Sequence, residues 1–400
     1  SITGSGAANV VITGSFTIPL MKKVGYNPTF AGAVEAVASQ GGQIMPPVMG
    51  AAAFIMAEYI GIPYIKLAMY AAIPAIGYFS MAAVSIYLEA RKNNLSSLTK
   101  EDLPNINKVL KEGWYFFLPI VFVIWMMASG KSPMRAGFWA IVLTFGLSFF
   151  NKKNRMGIVD VLECFEKGTR SSLSVMAACA AAGIIVGAIS LSGLGIRFSR
   201  LAILIAGNNV LIMLIMTMVA SLILGMGMPT ASAYIILAVL AAPSLINLGI
   251  NPVSAHLFVF YFGVISGLTP PVAITAYTAA GLAESDPTRT AIESVKLALG
   301  GFLLPFMFSY NPELVLQNPN ILTTIQVIFT SLVGCVAFAI AMSGYFITKV
   351  SVLERFVFII SALLLIERSF STDIVGFAGI IILIFVQFKK HSNEKKYWGV

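Results

Sequence analysis

The chain has 400 residues, of which 58% are hydrophobic and 11% are charged, and its mean hydropathy is +0.87. A soluble domain carries about 25% charged residues, so this chain cannot cover a water-facing surface with polar groups. Apolar runs such as "YFFLPIVFVIWMMA" and "VLIMLIMTMVASLIL" are long enough for a span or half-span of a bilayer. The composition therefore excludes a soluble globular protein and predicts an all-α polytopic membrane protein.

The net charge of +9 would suggest nucleic-acid binding in a soluble protein. Here the basic residues cluster in short segments between apolar runs, as the positive-inside rule describes. We therefore predict the lipid bilayer, and no nucleic acid, as the partner of these charges. The cysteines Cys164, Cys179 and Cys335 show neither metal-binding spacing nor a disulfide framework.

The first elements in chain order are a hairpin tip, a broken helix and a span. The stretch "TGSGAAN" predicts the tip of a re-entrant hairpin, and the apolar segment 29–60 is interrupted at "GGQIMPP". Two adjacent prolines remove two backbone donors and clash with the preceding turn, so this segment predicts a broken transmembrane helix. Residues 65–88 predict a continuous span.

Two basic segments follow, at 91–111 and 151–170, and each carries five lysines or arginines. They flank two predicted spans at 114–129 and 135–150. An even number of crossings leaves both basic segments on one side of the membrane, which the positive-inside rule identifies as the cytoplasm. Residues 171–192 predict a further span.

The next region contains a second interrupted hairpin and a second broken helix. The arms around "GMGMPT" have only 15–19 residues, and a full span needs about 20, so we predict a re-entrant hairpin, with two full spans as the alternative. Residues 253–283 are interrupted at "SGLTPP", and residues 289–309 predict a span. Segments 322–348, 353–367 and 373–388 then predict an accessory bundle with a basic cytoplasmic tail.

A single ungapped offset of 224 residues relates the two halves of this pattern. At this offset "GYNP" coincides with "GINP", and "MPPV" coincides with "TPPV". The first NP loop carries Lys22 and Lys23, whereas its counterpart has no basic residue, so the two loops are predicted on opposite sides of the membrane. The sequence thus predicts an inverted repeat with two hairpins and two broken helices, a design of secondary transporters.

We divide the chain into four parts. Residues 1–90 form the first repeat, 91–170 the cytoplasmic loops with two scaffold spans, 171–316 the second repeat, and 317–400 the accessory C-terminal extension. Residues 171–224 have no counterpart in the first repeat. We therefore expect that an N-terminal part of the first repeat is missing.

The tips and breaks predict sites for ions and for a carboxylate. Non-helical backbone at membrane depth persists only where protein or a water-filled cavity satisfies it. The carbonyls that a break frees are hard ligands suited to Na⁺, and the positive ends of half-helices suit a carboxylate. The four tips and breaks are Thr3 to Asn9, Gly41 to Pro47, Gly225 to Thr230 and Gly267 to Pro271. Short hydroxyl and amide side chains lie beside them at Ser5, Asn9, Ser39, Gln43, Thr230, Ser266 and Thr269.

Glu35 is predicted to lie within the first broken helix, and an intramembrane carboxylate is a candidate for ion coupling. Pairing with a buried donor is the alternative. "GSGAAN" lacks the third glycine and the preceding strand of a nucleotide-binding loop. The sequence shows no His/Cys/Asp cluster for a catalytic metal and no Ser/His pair for hydrolysis, so we predict a protein that is not an enzyme and has no cofactor, with Na⁺ as coupling ion.

Four long motifs carry a resemblance to a known family: "TGSGAANVVITGSFTIPLM", "EAVASQGGQIMPPVMGAAAF", "GMGMPTASAYIILAVLAAP" and "HLFVFYFGVISGLTPPVAITAY". They resemble the large membrane subunit of tripartite ATP-independent periplasmic (TRAP) transporters, of the fused-permease type associated with TAXI-class binding proteins. The resemblance covers residues 1–316. It implies a Na⁺-driven importer of an organic acid in the bacterial inner membrane, with an elevator-like transport domain.

The resemblance also implies partners and site residues. A periplasmic TAXI-type binding protein would deliver the substrate, and the small membrane subunit would be fused upstream. A first sodium site would use Ser5, Asn9, Gly42 and Pro46, a second would use Gly225, Met228 and Thr269, and the substrate would contact Ser5, Gln43, Thr230 and Thr269.

Two residues depart from the family pattern. Asn9 stands where many relatives have aspartate, and Val48 stands where many have serine. A channel or passive pore subunit is the alternative function, since broken helices also line selectivity filters. The sequence does not identify the organic acid.

Overall fold

The computed structural model describes residues 4–95, 105–149, 155–317, 320–366 and 369–398. Throughout these ranges the regular structure is helical and contains no strand. Six helices are long and apolar enough to cross a membrane: Tyr64–Lys92, Ile158–Ser192, Thr230–Asn247, Pro287–Tyr310, Ile321–Ser343 and Ser371–Ser392. This confirms the prediction of an all-α polytopic membrane protein, whereas the re-entrant path of the hairpins stays a prediction.

The first repeat consists of a hairpin arm, a helix in two halves and a long span. The helices are α1 (Gly6–Val24), α2 (Pro28–Gly41), α3 (Ala51–Ile60) and α4 (Tyr64–Lys92). α2 begins where Asn27 caps it by accepting from the Thr29 amide at 2.9 Å, and Pro28 occupies the first helical position, where no donor is needed. The predicted break is the gap between α2 and α3, and its Pro46–Pro47 bond is cis.

The middle of the chain forms a connecting region. Its helices are α5 (Ile106–Gly113), α6 (Leu118–Ala128), α7 (Pro133–Ser148), α8 (Ile158–Ser192) and α9 (Leu194–Ala206). The predicted spans 114–129 and 135–150 correspond to α6 and α7. α8 begins inside the basic segment 151–170 that we predicted as a loop, and α9 was not predicted. Residues 96–104 and 150–154 of the predicted loops lie outside the described residues, as does Thr3.

The second repeat follows the first in its element order. Its helices are α10 (Val210–Gly225), α11 (Thr230–Leu240), α12 (Ala242–Asn247), α13 (Pro252–Ile265), α14 (Ile274–Ala283) and α15 (Pro287–Tyr310). α13 begins and ends 224 residues after α2, and Asn251 caps it as Asn27 caps α2. Its Pro270–Pro271 bond is also cis. The offset found in the sequence therefore relates the helix boundaries as well.

The packing of the helices follows the same correspondence. α1 packs on α2 of its own repeat and on α14 of the other, and α11 packs on α13 of its own repeat and on α3 of the other. The two repeats thus interlock around the two breaks. α13 lies at the centre, where each of its residues after Pro252 is buried.

The remaining helices form the C-terminal bundle. They are α16 (Ile321–Ser343), α17 (Val352–Leu364) and α18 (Phe370–Trp398). α16 packs on α4, so the bundle lies beside the first repeat. A buried network of Glu354, Gln387 and Thr348 connects the bundle, with the Gln387 amide 3.1 Å from Glu354 Oε2.

Candidate functional site

The first predicted tip lies against the first predicted break. Ser5 is the N-cap of α1, and its Oγ accepts a hydrogen bond from the Ala8 amide at 3.4 Å. Gly4, just before this cap, adopts a φ of 64°. A Cβ placed on Gly50, where the chain enters α3, would lie 3.3 Å from the Gly4 carbonyl oxygen. The N-termini of α1 and α3 are therefore neighbours.

The second predicted tip lies against the second predicted break. A Cβ added to Gly225 would lie 2.6 Å from the Ser266 Oγ and 3.3 Å from the Gly263 Cα. Gly227, with a φ of 75°, packs against Val272 beyond the second proline pair. Glycine is required at Gly225 because the tip rests on the backbone at the end of α13.

Two glutamines of the first repeat connect these two halves of the site. The side-chain oxygen of Gln43 accepts a hydrogen bond from the hydroxyl of Thr230, the first residue of α11, at 2.6 Å. The side-chain amide of Gln40 donates to the Val264 carbonyl, and its oxygen accepts from the Thr275 hydroxyl at 2.9 Å. Both glutamine side chains are buried. The tips and breaks of the two repeats therefore form one continuous site.

Gln40 was missing from the residues predicted from the sequence. A Cβ added to Gly6 or to Gly267 would collide with its amide group, so both glycines leave space for this side chain. Gly6 also lies against Thr275 in the first turn of α14, where an added Cβ would be 3.1 Å from the Thr275 Oγ1. A polar residue directly before a predicted break was the signal that could have revealed Gln40.

Helix N-termini meet at this site, and three of them lack a side-chain cap. α1 is capped by Ser5, whereas α3, α11 and α14 follow Gly50, Pro229 and Ala273 with no side-chain hydrogen bond to their first turns. The first N–H groups of a helix have no partner within the helix, and the helix dipole adds partial positive charge there. Such a set of N–H groups can bind an anion.

The residues predicted for the first sodium site lie around the first tip and break. Asn9 Nδ2 donates to the Ser39 Oγ at 2.9 Å and so connects α1 to α2. The Gly42 amide donates to the Ala38 carbonyl at 3.1 Å at the end of α2. Pro46 lies in the break itself.

The residues predicted for the second sodium site lie around the second tip and break. The Met228 amide donates to the Gly225 carbonyl at 3.4 Å within the tip. The Thr269 hydroxyl donates to the Ile265 carbonyl at 3.1 Å at the end of α13. The geometry brings the predicted residues of each set to one tip and its break, while their binding of sodium stays a prediction.

Glu35 lies in the middle of α2 with 5% of its surface exposed. Its Oε1 contacts the hydroxyls of Thr13 and Ser39, the latter at 3.0 Å, and its Oε2 contacts the Thr17 hydroxyl. Among the described residues, no lysine, arginine or histidine lies within ion-pair distance of this carboxyl group. Glu35 thus has the buried donors that the sequence left as one of two alternatives.

The largest cavity is separate from the tips. It has a volume of about 1730 Å³ and lies between α3, α6, α7 and α8, with a lining that is mostly apolar. Apart from Val48, the residues singled out in the sequence for the tips and breaks do not line it. Within the described part of the chain, no group of three or more His, Cys, Asp and Glu side chains is placed to hold a metal ion.

Comparison with known proteins identifies the family. The chain matches the family "Tripartite ATP-independent periplasmic transporter, DctM component" over residues 1–321. It is 25% identical to the C4-dicarboxylate TRAP transporter large permease protein DctM of Vibrio cholerae, over 82% of this chain and 76% of that protein. It is 24% identical to the 2,3-diketo-L-gulonate TRAP transporter large permease protein YiaN of Escherichia coli, over 79% of this chain and 74% of that protein.

A third relative is longer. The isethionate TRAP transporter permease protein DctMQ of Oleidesulfovibrio alaskensis is 23% identical over 71% of this chain, and the aligned region spans 45% of that protein. The family match covers both repeats with their tips and breaks. The chain therefore belongs to the DctM family of TRAP transporter large permease subunits, which are multi-pass proteins of the inner membrane.

Proposed function

We propose that the chain is the permease subunit of a Na⁺-coupled secondary transporter that imports an organic acid. The observation that carries this proposal is the meeting of uncapped helix N-termini at two tips and two breaks. N–H groups with partial positive charge favour a carboxylate, and freed carbonyls beside them favour a small cation. The names of relatives include C4-dicarboxylate and 2,3-diketo-L-gulonate as substrates, which agrees with an anionic substrate.

The proposed roles divide by tip. One Na⁺ binds at the first tip and break and a second binds at the second tip and break. The first set of ligands is Ser5, Asn9, Gly42 and Pro46, and the second set is Gly225, Met228 and Thr269. The substrate carboxylate lies between the tips, where Ser5, Gln43, Thr230 and Thr269 contact it. Because Gln43 and Thr230 already bond to each other across the repeats, substrate and ions share one connected set of groups.

The proposed transport cycle requires partners. A periplasmic TAXI-type binding protein delivers the organic acid, and a small membrane subunit, fused upstream, supports the permease. The interlocked repeats move as an elevator-like body against a scaffold that includes α6 and α7. The packing of each hairpin arm on both broken helices supports a single moving body, because the arms cannot separate from either repeat alone.

Reconstitution tests the proposal directly. The complete transporter is placed in proteoliposomes, and a thermal-shift screen of carboxylic acids against its binding protein first identifies the substrate. An inward Na⁺ gradient should then accumulate the labelled acid above its external concentration. Accumulation that is independent of Na⁺ or requires ATP would contradict Na⁺ coupling. Equilibration without accumulation would indicate a passive pore.

A further inference from the structure

The oxygen atoms around Glu35 make more close contacts than their hydroxyl hydrogens can serve. The Thr13 hydroxyl lies 2.9 Å from the Asn9 carbonyl and also contacts Glu35 Oε1. The Thr17 hydroxyl lies 3.0 Å from the Thr13 carbonyl and also contacts Glu35 Oε2. Each hydroxyl has one hydrogen and can donate to only one of its two oxygen neighbours. With Glu35 ionised, two close oxygen pairs therefore lack a hydrogen.

One added proton on Glu35 completes the contact between α2 and Thr17. The Oε2–H group then donates to the Thr17 oxygen, and the Thr17 hydroxyl donates to the Thr13 carbonyl, a bond that threonine often makes one turn back along a helix. Ser39 continues to donate to Oε1 at 3.0 Å, and it accepts from Asn9 Nδ2 at 2.9 Å. The network that contains these five side chains is thus built for a carboxylic acid with one exchangeable hydrogen.

No counter-charge faces Glu35 from the helices around it. On α1, Lys22 lies beyond Thr17 and bonds to the Ala283 carbonyl at 3.2 Å and to Glu284 at 3.4 Å. On α4, the Tyr78 hydroxyl donates to the Val37 carbonyl at 3.0 Å. An ionised carboxylate in a low-dielectric interior is costly unless a cation compensates it.

The other surrounding helices supply no compensating charge either. On α14, the Tyr277 hydroxyl donates to the Pro271 carbonyl, and on α15 Lys296 pairs with Glu293 at 2.9 Å on the outer side. On α13, His256 bonds to the Tyr234 hydroxyl at 2.8 Å. Among the described residues, Glu35 therefore has hydroxyl partners alone.

The network is confined to the first repeat. At the offset of 224 residues, Glu35 corresponds to Val259, Asn9 to Ala233, and Thr13 to Leu237, and all three counterparts have no exposed surface. An apolar core fills the same place in the second repeat. The fold therefore does not require this acid or its partners, and their presence in one repeat calls for a functional explanation.

We infer that Glu35 is a proton site, and that one proton enters with the organic acid in addition to Na⁺. This inference rests on the proposed function. Glu35 takes a proton from water on the outer side, carries it as a neutral acid, and releases it to water on the inner side. The only bond that forms and breaks is the O–H bond of the carboxyl group. Neutralisation allows the transport body to move without a buried net charge.

The test uses the complete transporter in proteoliposomes at a fixed Na⁺ gradient and a clamped membrane potential. The pH of the two compartments is varied independently, and steady-state accumulation of the substrate is measured. One cotransported proton raises accumulation by about tenfold per pH unit of inward gradient, because one pH unit is a tenfold difference in proton activity. Glu35→Gln should accumulate substrate with the Na⁺ gradient and lose the response to pH. Glu293→Gln, a control at an exposed ion pair, should respond like the wild type.

Infrared difference spectroscopy provides a second measurement that does not depend on the variant's transport. The wild-type protein should show a protonated carboxylic acid band that titrates with pH, and the Glu35→Gln protein should lack it. An equal pH response in wild type and Glu35→Gln, or a wild type that ignores the pH gradient, would overturn the inference and leave Na⁺-driven uptake intact. Absence of uptake under every gradient would instead remove the proposed function, and the inference with it.

Discussion

The side-chain amide of Gln40 donates to the carbonyl oxygen of Val264, the residue that occupies the same position in the second repeat. This bond joins the end of α2 to the end of α13, directly before both breaks. Thr275 adds a second bond to the same side chain at 2.9 Å. The two breaks therefore cannot move apart without leaving buried polar groups unsatisfied.

We expect Gln40→Ala to destabilise the protein and to weaken its dependence on Na⁺. The change leaves a buried carbonyl and a buried hydroxyl without their partner, at a cost of about 1–3 kcal/mol for each unsatisfied group. The measurements are the thermal unfolding midpoint in detergent and the Na⁺ concentration that gives half-maximal uptake. Gln326→Ala is the matched control, because it removes a 2.8 Å side-chain bond to Asp373 in the C-terminal bundle. A control with the same shift in Na⁺ dependence would contradict a role specific to the breaks.

We expect Thr230→Val to slow uptake, whereas Thr230→Ser should retain it. The Thr230 hydroxyl holds Gln43 at 2.6 Å across the repeats, and losing a hydrogen bond of this kind costs about 1 kcal/mol, which corresponds to roughly fivefold in rate. Initial uptake rates at saturating binding protein measure the effect. Valine and serine variants with equal rates would show that the hydroxyl has no part in transport.

We expect Thr269→Ala to weaken Na⁺ dependence by more than it lowers expression. Thr269 lies at the end of α13, where its hydroxyl oxygen and the freed carbonyls are the proposed ligands of the second Na⁺. Thr278→Ala is a close control, since Thr278 makes the same type of bond to the Ile274 carbonyl at 2.8 Å within α14. Na⁺ titrations of uptake, normalised to the amount of reconstituted protein, separate the two effects. Equal losses in both quantities would mean that Thr269 serves packing alone.

We expect Gly225→Ala to reduce uptake by about tenfold or more, because overpacking of this size costs about 1–3 kcal/mol. The new methyl group would meet the Ser266 Oγ at 2.6 Å and so displace the second tip from its break. Combining it with Ser266→Gly should restore part of the rate, since the obstructing side chain is then absent. Gly187→Ala is the control, because a Cβ at this position in α8 has no heavy atom within 4 Å. Normal uptake by Gly225→Ala would show that the tip can shift without consequence.

The proline pairs and the offset were sufficient to predict the two broken helices. Asn27 and Asn251, each followed by proline, are strong local signals for a helix start, and both helices begin there. The end of each helix at its break follows from the loss of backbone donors at the prolines. Such signals act within a few residues, which is why the sequence alone was enough.

The contacts that complete the site were harder to predict, because they depend on which helix faces come together. Gln40 meets Val264 only because the repeats interlock. The partners of Glu35 left a signal that could have been used: Asn9, Thr13 and Thr17 recur at every fourth position and so lie on one face of α1. α9 was missed because it is a short helix between two longer apolar segments, where neither length nor charge distinguishes it from a connecting loop.

The uncapped helix starts at the tips and breaks have a consequence for how proteins of this kind diverge. A pocket made of main-chain N–H and carbonyl groups cannot lose its binding atoms by a change of side chain. Natural variation around it is therefore free to reshape the walls and so to alter which molecule fits, provided that glycine and proline keep the path of the chain. Relatives only 23–25% identical to this chain carry the names of isethionate, C4-dicarboxylate and 2,3-diketo-L-gulonate. That range is what selection can produce when one durable scaffold is fitted to new cargo.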